Sequence, residues 1–354
     1  MNKRMRRLLL FLCIIIALAF GIKKLSIISY RPVSVFSEKT KHDIKDIAIL
    51  NEGTLATFDG DSLVFYNGSD KKIVDRMGEG QKAFFGEEDG MLYDESIKKL
   101  TVFGTDGKER QSYYLEGELF RADVQNGVRL FHCRFDDGEK LFIASNNGSL
   151  TSVFETKNYI LDFKVKDDRH FTVTELSNTA NGYMTTVYVE DGKRDKARME
   201  NTELPMEVAM RIAEGSYPVI VTEKHLYGLD KELITETTPI ISDIIFHRNK
   251  LYTLHSGILS RHGKDLKEIE RHVMEGNVDH LASVGEELFA YGNRELLGRV
   301  NSEHPYHIRF SDTQEKVEVK YGYIATYGHK RIALYRLKPS LFRPKAVLTL
   351  SGEE

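Results

Sequence analysis

NKLYTLHSGILSRHGKDLKEIE, residues 249–270, reads as strand, tight turn, strand, tight turn, strand. GTLATFDGDSLVFYNGSDKKIV (53–74) and GMLYDESIKKLTVFGTDGKERQS (90–112) repeat the layout. Runs of about four to seven residues, rich in Val, Ile, Phe, Tyr and Thr, alternate apolar and polar along the chain. Gly, Asn and Asp punctuate them, as at Asp59-Gly60, Asn67-Gly68, Asp106-Gly107, Asp137-Gly138, Asn147-Gly148 and Asp191-Gly192. Such pairs tolerate positive φ and suit tight hairpins. Helical periodicity is nearly absent. Even PMEVAMRIAEG (205–215), with helix-forming residues, alternates at Met206, Val208, Met210 and Ile212 and reads as a strand.

Grouped in fours, the runs begin modules near 44, 80, 117, 158, 203, 239, 276 and 314. A spacing of about 35 to 45 residues is the period of a propeller blade. One four-stranded sheet cannot bury both faces alone; neighbours stacked around an axis bury them. The expected fold is all-β, a seven- or eight-bladed β-propeller of four-stranded antiparallel blades, preceded by one N-terminal transmembrane helix. The competing architecture is two stacked β-sandwiches; eight regular modules without a linker rich in Pro, Gly or Ser weigh against it. RPVSVFS (31–37) can close the ring beside KRIALYRL (330–337), or AVLTL (346–350) can supply that outer strand.

The N-terminus has a different composition. MNKRMRR precedes 15 uninterrupted apolar or small residues, 8–22. Lys23 and Lys24 can snorkel, and LSIIS can lengthen the span. The division is a cytoplasmic basic tail (1–7), a transmembrane signal anchor (8–29), a linker that can double as a ring-closing strand (30–43) and the propeller (44–354). This makes a single-pass cell-membrane protein with its N-terminus cytoplasmic and its propeller extracytoplasmic. The alternative is secretion after cleavage near Ala19, at Ala17-Leu18-Ala19.

Residues 1–30 carry six basic side chains and no acid. Removing those six from the chain's 50 Lys and Arg leaves 44 against 53 acids, a net of −9. A mildly acidic body lacks the clustered positive charge of a nucleic-acid binder. With Cys13 in the apolar run, the folded part holds one thiol, Cys133, which excludes an internal disulfide. RLFHCRF reads as a strand with Cys133 as a buried small hydrophobe.

The layout, carried by GILSRHGKDLKEI-type and SLVFYNGSDKKIV-type hairpins, resembles the quinoprotein-like propellers, especially their non-enzymatic, envelope-located BamB-like members. It also resembles membrane-anchored propellers of Gram-positive bacteria whose function is unknown. The resemblance covers about residues 40–350, is architectural, and transfers no functional residue. Trp, which recurs in quinoprotein dehydrogenases, WD repeats and sialidase Asp boxes, is absent here, so the chain departs from all three.

No motif adds chemistry. GEGQK (78–82) lacks a following helix and reads as a loop between blades. Nine of the 12 histidines lie from His225 onward, including His304-Pro-Tyr-His307. A metal site needs three or four converging ligands, so surface or turn positions are the simpler reading. FDGDS (58–62), EEDG (87–90) and DDGE (136–139) lack the twelve-residue calcium loop and read as hairpin turns. No catalytic residue, cofactor or metal site is expected. Residues 319–350 carry Lys320, Lys330, Arg331, Arg336, Lys338, Arg343 and Lys345 and no acid, a candidate patch for the membrane or an anionic polymer. LKPSLFRPK offers Leu341 and Phe342 as a docking segment. The expected function is a protein-interaction scaffold in the bacterial envelope, held by residues 8–29 and bound to envelope protein partners, not to nucleic acid. The alternative is an exported carbohydrate-active enzyme or ligand sensor using the central funnel.

Overall fold

The computed structural model describes residues 29–348 except 76–79, 146, 168, 192–199, 230–232, 303–304 and 341–345. The chain forms eight blades, each built on a four-stranded antiparallel sheet. In blade one the strands run Asp46–Ile49, Leu55–Phe58, Leu63–Asn67 and Asp70–Val74. The first strand is innermost and the last outermost. Later blades begin at Gln81, Glu118, Tyr159, Arg211, Asp243, His280 and Lys316. The 249–270 stretch supplies strands two and three of blade six, Lys250–His255 and Ile258–His262, and the start of its fourth, Glu268–Val273.

The core is eight slabs rather than one centre. Each seam between neighbouring blades holds its own buried apolar cluster. Period-2 alternation sends successive side chains of a strand to opposite seams. Without Trp, the seams are filled by Leu, Ile, Val, Phe and Tyr.

The ring closes through the N-terminal candidate. Ser29–Lys39 is the outermost strand of blade eight, paired antiparallel with Arg331–Ser340 from Ser29↔Ser340 to Lys39↔Arg331. That strand begins at Ser29 and takes in most of the expected linker. Opening the ring therefore requires breaking a sheet. Tyr30 N donates to Tyr306 Oη at 3.0 Å, and Tyr306 Oη donates to Glu287 Oε2 at 3.0 Å, tying this strand to blade seven. Gly298 makes the clamp possible, because a Cβ there would lie 2.2 Å from Tyr306 Cζ. The other closing candidate goes elsewhere: Ala346–Leu348 adds in parallel to Tyr306–Phe310 as a fifth strand of blade seven.

PMEVAMRIAEG is not one strand. Glu200–Pro205 ends blade four, residues 206–210 link, and Arg211–Ala213 opens blade five. Met206 turns at φ +59°, and Thr185 Oγ1 donates to Glu207 O and accepts from Ala209 N, at 2.7 and 3.2 Å. These bonds fix the link that alternation alone conceals.

The connections define two rims. Turns between strands two and three, and links from one blade to the next, form the upper rim. Turns between strands one and two, and between three and four, form the lower rim, where the chain joins the ring at Ser29. Among the described residues no helix is long and apolar enough to cross a membrane; residues 8–28 lie outside them.

Candidate functional site

The innermost strand of each blade presents a free edge to the axis, and its N–H groups need acceptors. Several blades supply one from the preceding blade's innermost strand. Gln125 Oε1 accepts from Val165 N at 2.8 Å, Asp162 Oδ2 from Ile212 N at 2.8 Å and Asp243 Oδ2 from Leu281 N at 2.7 Å. Glu318 Oε2 accepts from Ile49 N at 2.5 Å across the closing seam. Burial pushes Glu318 up to about 7, opposed by the Ile49 N–H bond and Lys320.

The innermost strands of blades three to six surround a cavity of about 770 Å³. Arg121 there lies 2.9 Å from Asp162 and 3.0 Å from Asp123, with its guanidinium 4.4 Å over the Phe163 ring. Arg211 pairs with Asp243. The same two aspartates thus brace the strands and neutralise the channel's arginines. Lys164 and Glu214 complete the charged lining with Glu87. Burial raises the Glu214 carboxyl, and Lys166 and Lys164 oppose the rise.

The upper rim of this half exposes large apolar side chains. Phe120 and Tyr159 stand near the starts of the innermost strands of blades three and four. Met206 and Met210 lie in the link from blade four to five, and Ile240 in the link from five to six. Met210 also lines the cavity mouth. Two neighbouring charges are engaged within the protein: Arg134 lies 3.0 Å from Glu139 and 5.0 Å over Phe120, and His225 lies 2.8 Å from Glu207. Sequence reading missed this crescent, because it depends on which links become neighbours.

The basic residues divide between the rims. Lys330 and Arg331 sit at the upper end of blade eight, 3.6 Å from Asp43 and 3.3 Å from Ser37 Oγ. Lys320, Arg336 and Lys338 lie toward the lower end, joined by Arg31 opposite Lys338. Leu341, Phe342, Arg343 and Lys345 fall outside the described residues.

Several histidines are seam residues rather than surface ones. His132, His247, His255 and His262 are buried. His132 Nε2 contacts Glu139 at 2.8 Å, and burial lowers its pKa against that carboxylate. Asp59 forms the expected turn bonds to Asp61 N and Ser62 N, 2.9 and 2.7 Å. Asp89 and Glu139 instead hold Arg129 and His132. Cys133 is buried, its thiol pushed up to about 12 by desolvation. Among the described residues no group of three or more His, Cys, Asp or Glu side chains is placed to hold a metal ion.

No family model and no curated protein matches the chain. Solved structures do. BamB from Moraxella catarrhalis superposes with a TM-score of 0.59 at 9% identity, over 86% of this chain and 100% of that one. A eukaryotic initiation factor gives 0.56 at 8%, over 87% and 93%. BBS1N, crystallised with ARL6DN, gives 0.50 at 9%, over 90% and 99%. The shared property is the fold. The likeness to BamB agrees with the hairpin layout; at such identity it transfers no residue role.

Proposed function

We propose that the protein is a non-enzymatic, membrane-tethered, extracytoplasmic propeller that serves as a protein-interaction scaffold in the bacterial envelope. The observation that carries this reading is the apolar crescent Phe120, Tyr159, Met206, Met210 and Ile240 on the upper rim. Aromatic and methionine side chains on a rigid rim are the material of interface anchors. With Arg134 and His225 already paired, the fitting partner is a protein segment presenting apolar anchors. The apolar run at 8–22, flanked by basic residues, supplies the tether. BBS1N, of related fold, is crystallised in a protein complex.

The test compares Met206→Ser/Met210→Ser/Ile240→Ser with an outer-strand control, Ile73→Ser/Ile269→Ser, in crosslinked membranes. Stoichiometric partners should be lost from the rim variant and kept by the control. Equal capture by both would refute the crescent as the docking surface.

A second reading rests on the polar cavity of about 770 Å³, a volume suited to a small polar ligand. The protein would then be an exported carbohydrate-active enzyme or ligand sensor. A glycan that raises the melting temperature of the wild type, but not of Lys164→Ala, would favour it.

A further inference from the structure

The register of blade eight gathers charge that the sequence leaves scattered. Lys320 lies opposite Tyr323, Tyr323 opposite Arg336, and Arg336 opposite Val33. Two residues further along, Lys338 lies opposite Arg31. Residues directly opposite in a sheet share a face, as do residues two apart. Lys320, Tyr323, Arg336, Lys338 and Arg31 therefore occupy one face of one sheet, at its lower end. Tyr323 identifies the face: it packs with the cluster between blades eight and one, and a Cβ on Gly53 (φ +77°) would lie 2.3 Å from its Cζ. Exposed Tyr321 sits at the adjacent turn.

Two of these cations lie over aromatic rings. Lys320 Nζ lies 4.8 Å over Tyr321 and the Arg336 guanidinium 5.9 Å over Tyr323. None of Lys320, Arg336, Lys338 and Arg31 forms an ion pair with a carboxylate of the described residues, although the body as a whole is acidic. Lys330 and Arg331, at the other end of the same sheet, do have partners, Asp43 and Ser37.

The chain joins the ring at this end. Ser29, opposite Ser340, precedes Tyr30 and Arg31, and only residues 23–28 separate it from the apolar run. Six or seven residues reach at most about 25 Å even when fully extended. Whatever holds residues 8–22 therefore keeps this face close by.

We infer that the lower end of blade eight is a membrane-facing shelf that binds anionic lipid headgroups through Lys320, Arg336, Lys338 and Arg31, with Tyr321 and Tyr323 at headgroup level. Tyrosines paired with basic side chains suit a bilayer interface, and basic groups gain from an anionic leaflet only within a Debye length of it. The tether confers that proximity, and the crescent on the opposite rim is left facing away from the bilayer. This inference rests on the tether reading above.

The test uses the full-length protein, with Cys13→Ser, in nanodiscs of phosphatidylcholine with or without phosphatidylglycerol. A fluorophore is placed at Ser69→Cys, in an exposed lower turn of blade one, or at Ile97→Cys, in an exposed upper turn of blade two. Quenching by headgroup-labelled lipid is then read. The shelf predicts strong quenching at 69 that requires phosphatidylglycerol, and little at 97. Each neutralisation among Arg31→Gln, Lys320→Gln, Arg336→Gln and Lys338→Gln should weaken the contact about fivefold. Disc-bound protein whose probe at 69 ignores lipid charge, or ignores all four substitutions, would overturn the shelf and leave the tether standing. Protein that does not co-elute with the discs would overturn both.

Discussion

The two arcs of the ring are held differently. Around the closure, and among the described residues, the seam between blades seven and eight buries twelve apolar residues and carries the Tyr30–Tyr306–Glu287 clamp. Across the axis, the seam between blades four and five buries six of the described residues. There Arg121, Asp162, Arg211 and Asp243 brace the innermost strands around a wide polar cavity. Closure, the place where a ring opens, is secured by apolar mass and a sheet. The far arc trades apolar packing for charge and leaves room at its centre.

Breaking the packed arc should have the largest effect. Phe289 is fully buried and touches the Tyr30 and Tyr306 rings, with centroids 6.2 and 6.3 Å away. Phe289→Ala is expected to cost about 3–5 kcal/mol in urea unfolding. A loss below about 1 kcal/mol would contradict the packing account.

On the braced arc, Asp162→Ala removes the acceptor of Ile212 N and one of two carboxylates on Arg121. It is expected to cost about 3 kcal/mol, since a buried donor loses its acceptor and a half-buried cation keeps only one of its two carboxylates. Hydrogen exchange should accelerate in blades four and five and stay unchanged in seven and eight. Uniform acceleration would mean that the arcs are not separate.

Glu318 tests the closing seam by pH. Its folded pKa of about 7 lies above the ordinary 4.5, so the folded state holds the proton more tightly. The associated stability is fully present below about pH 4.5 and is lost as pH rises through about 7. Glu318→Gln keeps an acceptor for Ile49 N without the charge. Its stability should match the wild type near pH 4 and exceed it near pH 8, by up to about 3 kcal/mol. A difference that does not grow with pH would contradict the burial of a charged carboxyl.

The smallest effect is expected at Lys330, whose pair with Asp43 spans 3.6 Å between exposed side chains. Lys330→Ala should change stability by less than about 0.5 kcal/mol. A larger change in urea unfolding would show that the upper end of blade eight contributes to closure.

The blades were legible in the sequence because strand alternation and Asn-Gly or Asp-Gly turns are local signals. The module starts near 80, 117, 158 and 314 fall within two residues of the strands at Gln81, Glu118, Tyr159 and Lys316. The start near 203 was displaced because Met206 and Met210 continue the alternation through a link that Thr185, on another strand, holds in place. The strap at 31–37 was visible as a candidate. Its choice over 346–350 was not, since that depends on Tyr306 reaching Tyr30 across 276 residues. The crescent and the shelf were illegible for the same reason. A run of basic residues in sequence became two groups once register placed Lys320, Arg336 and Lys338 beside Arg31, and Lys330 and Arg331 at the opposite rim.

The most direct test of the two-ended account places a photo-crosslinker at Met210 or at Tyr321 in full-length protein and irradiates intact membranes. The account predicts a protein adduct from Met210, on the upper rim, and a lipid adduct from Tyr321, on the lower. Lipid at Met210, or the same protein at both positions, would contradict it.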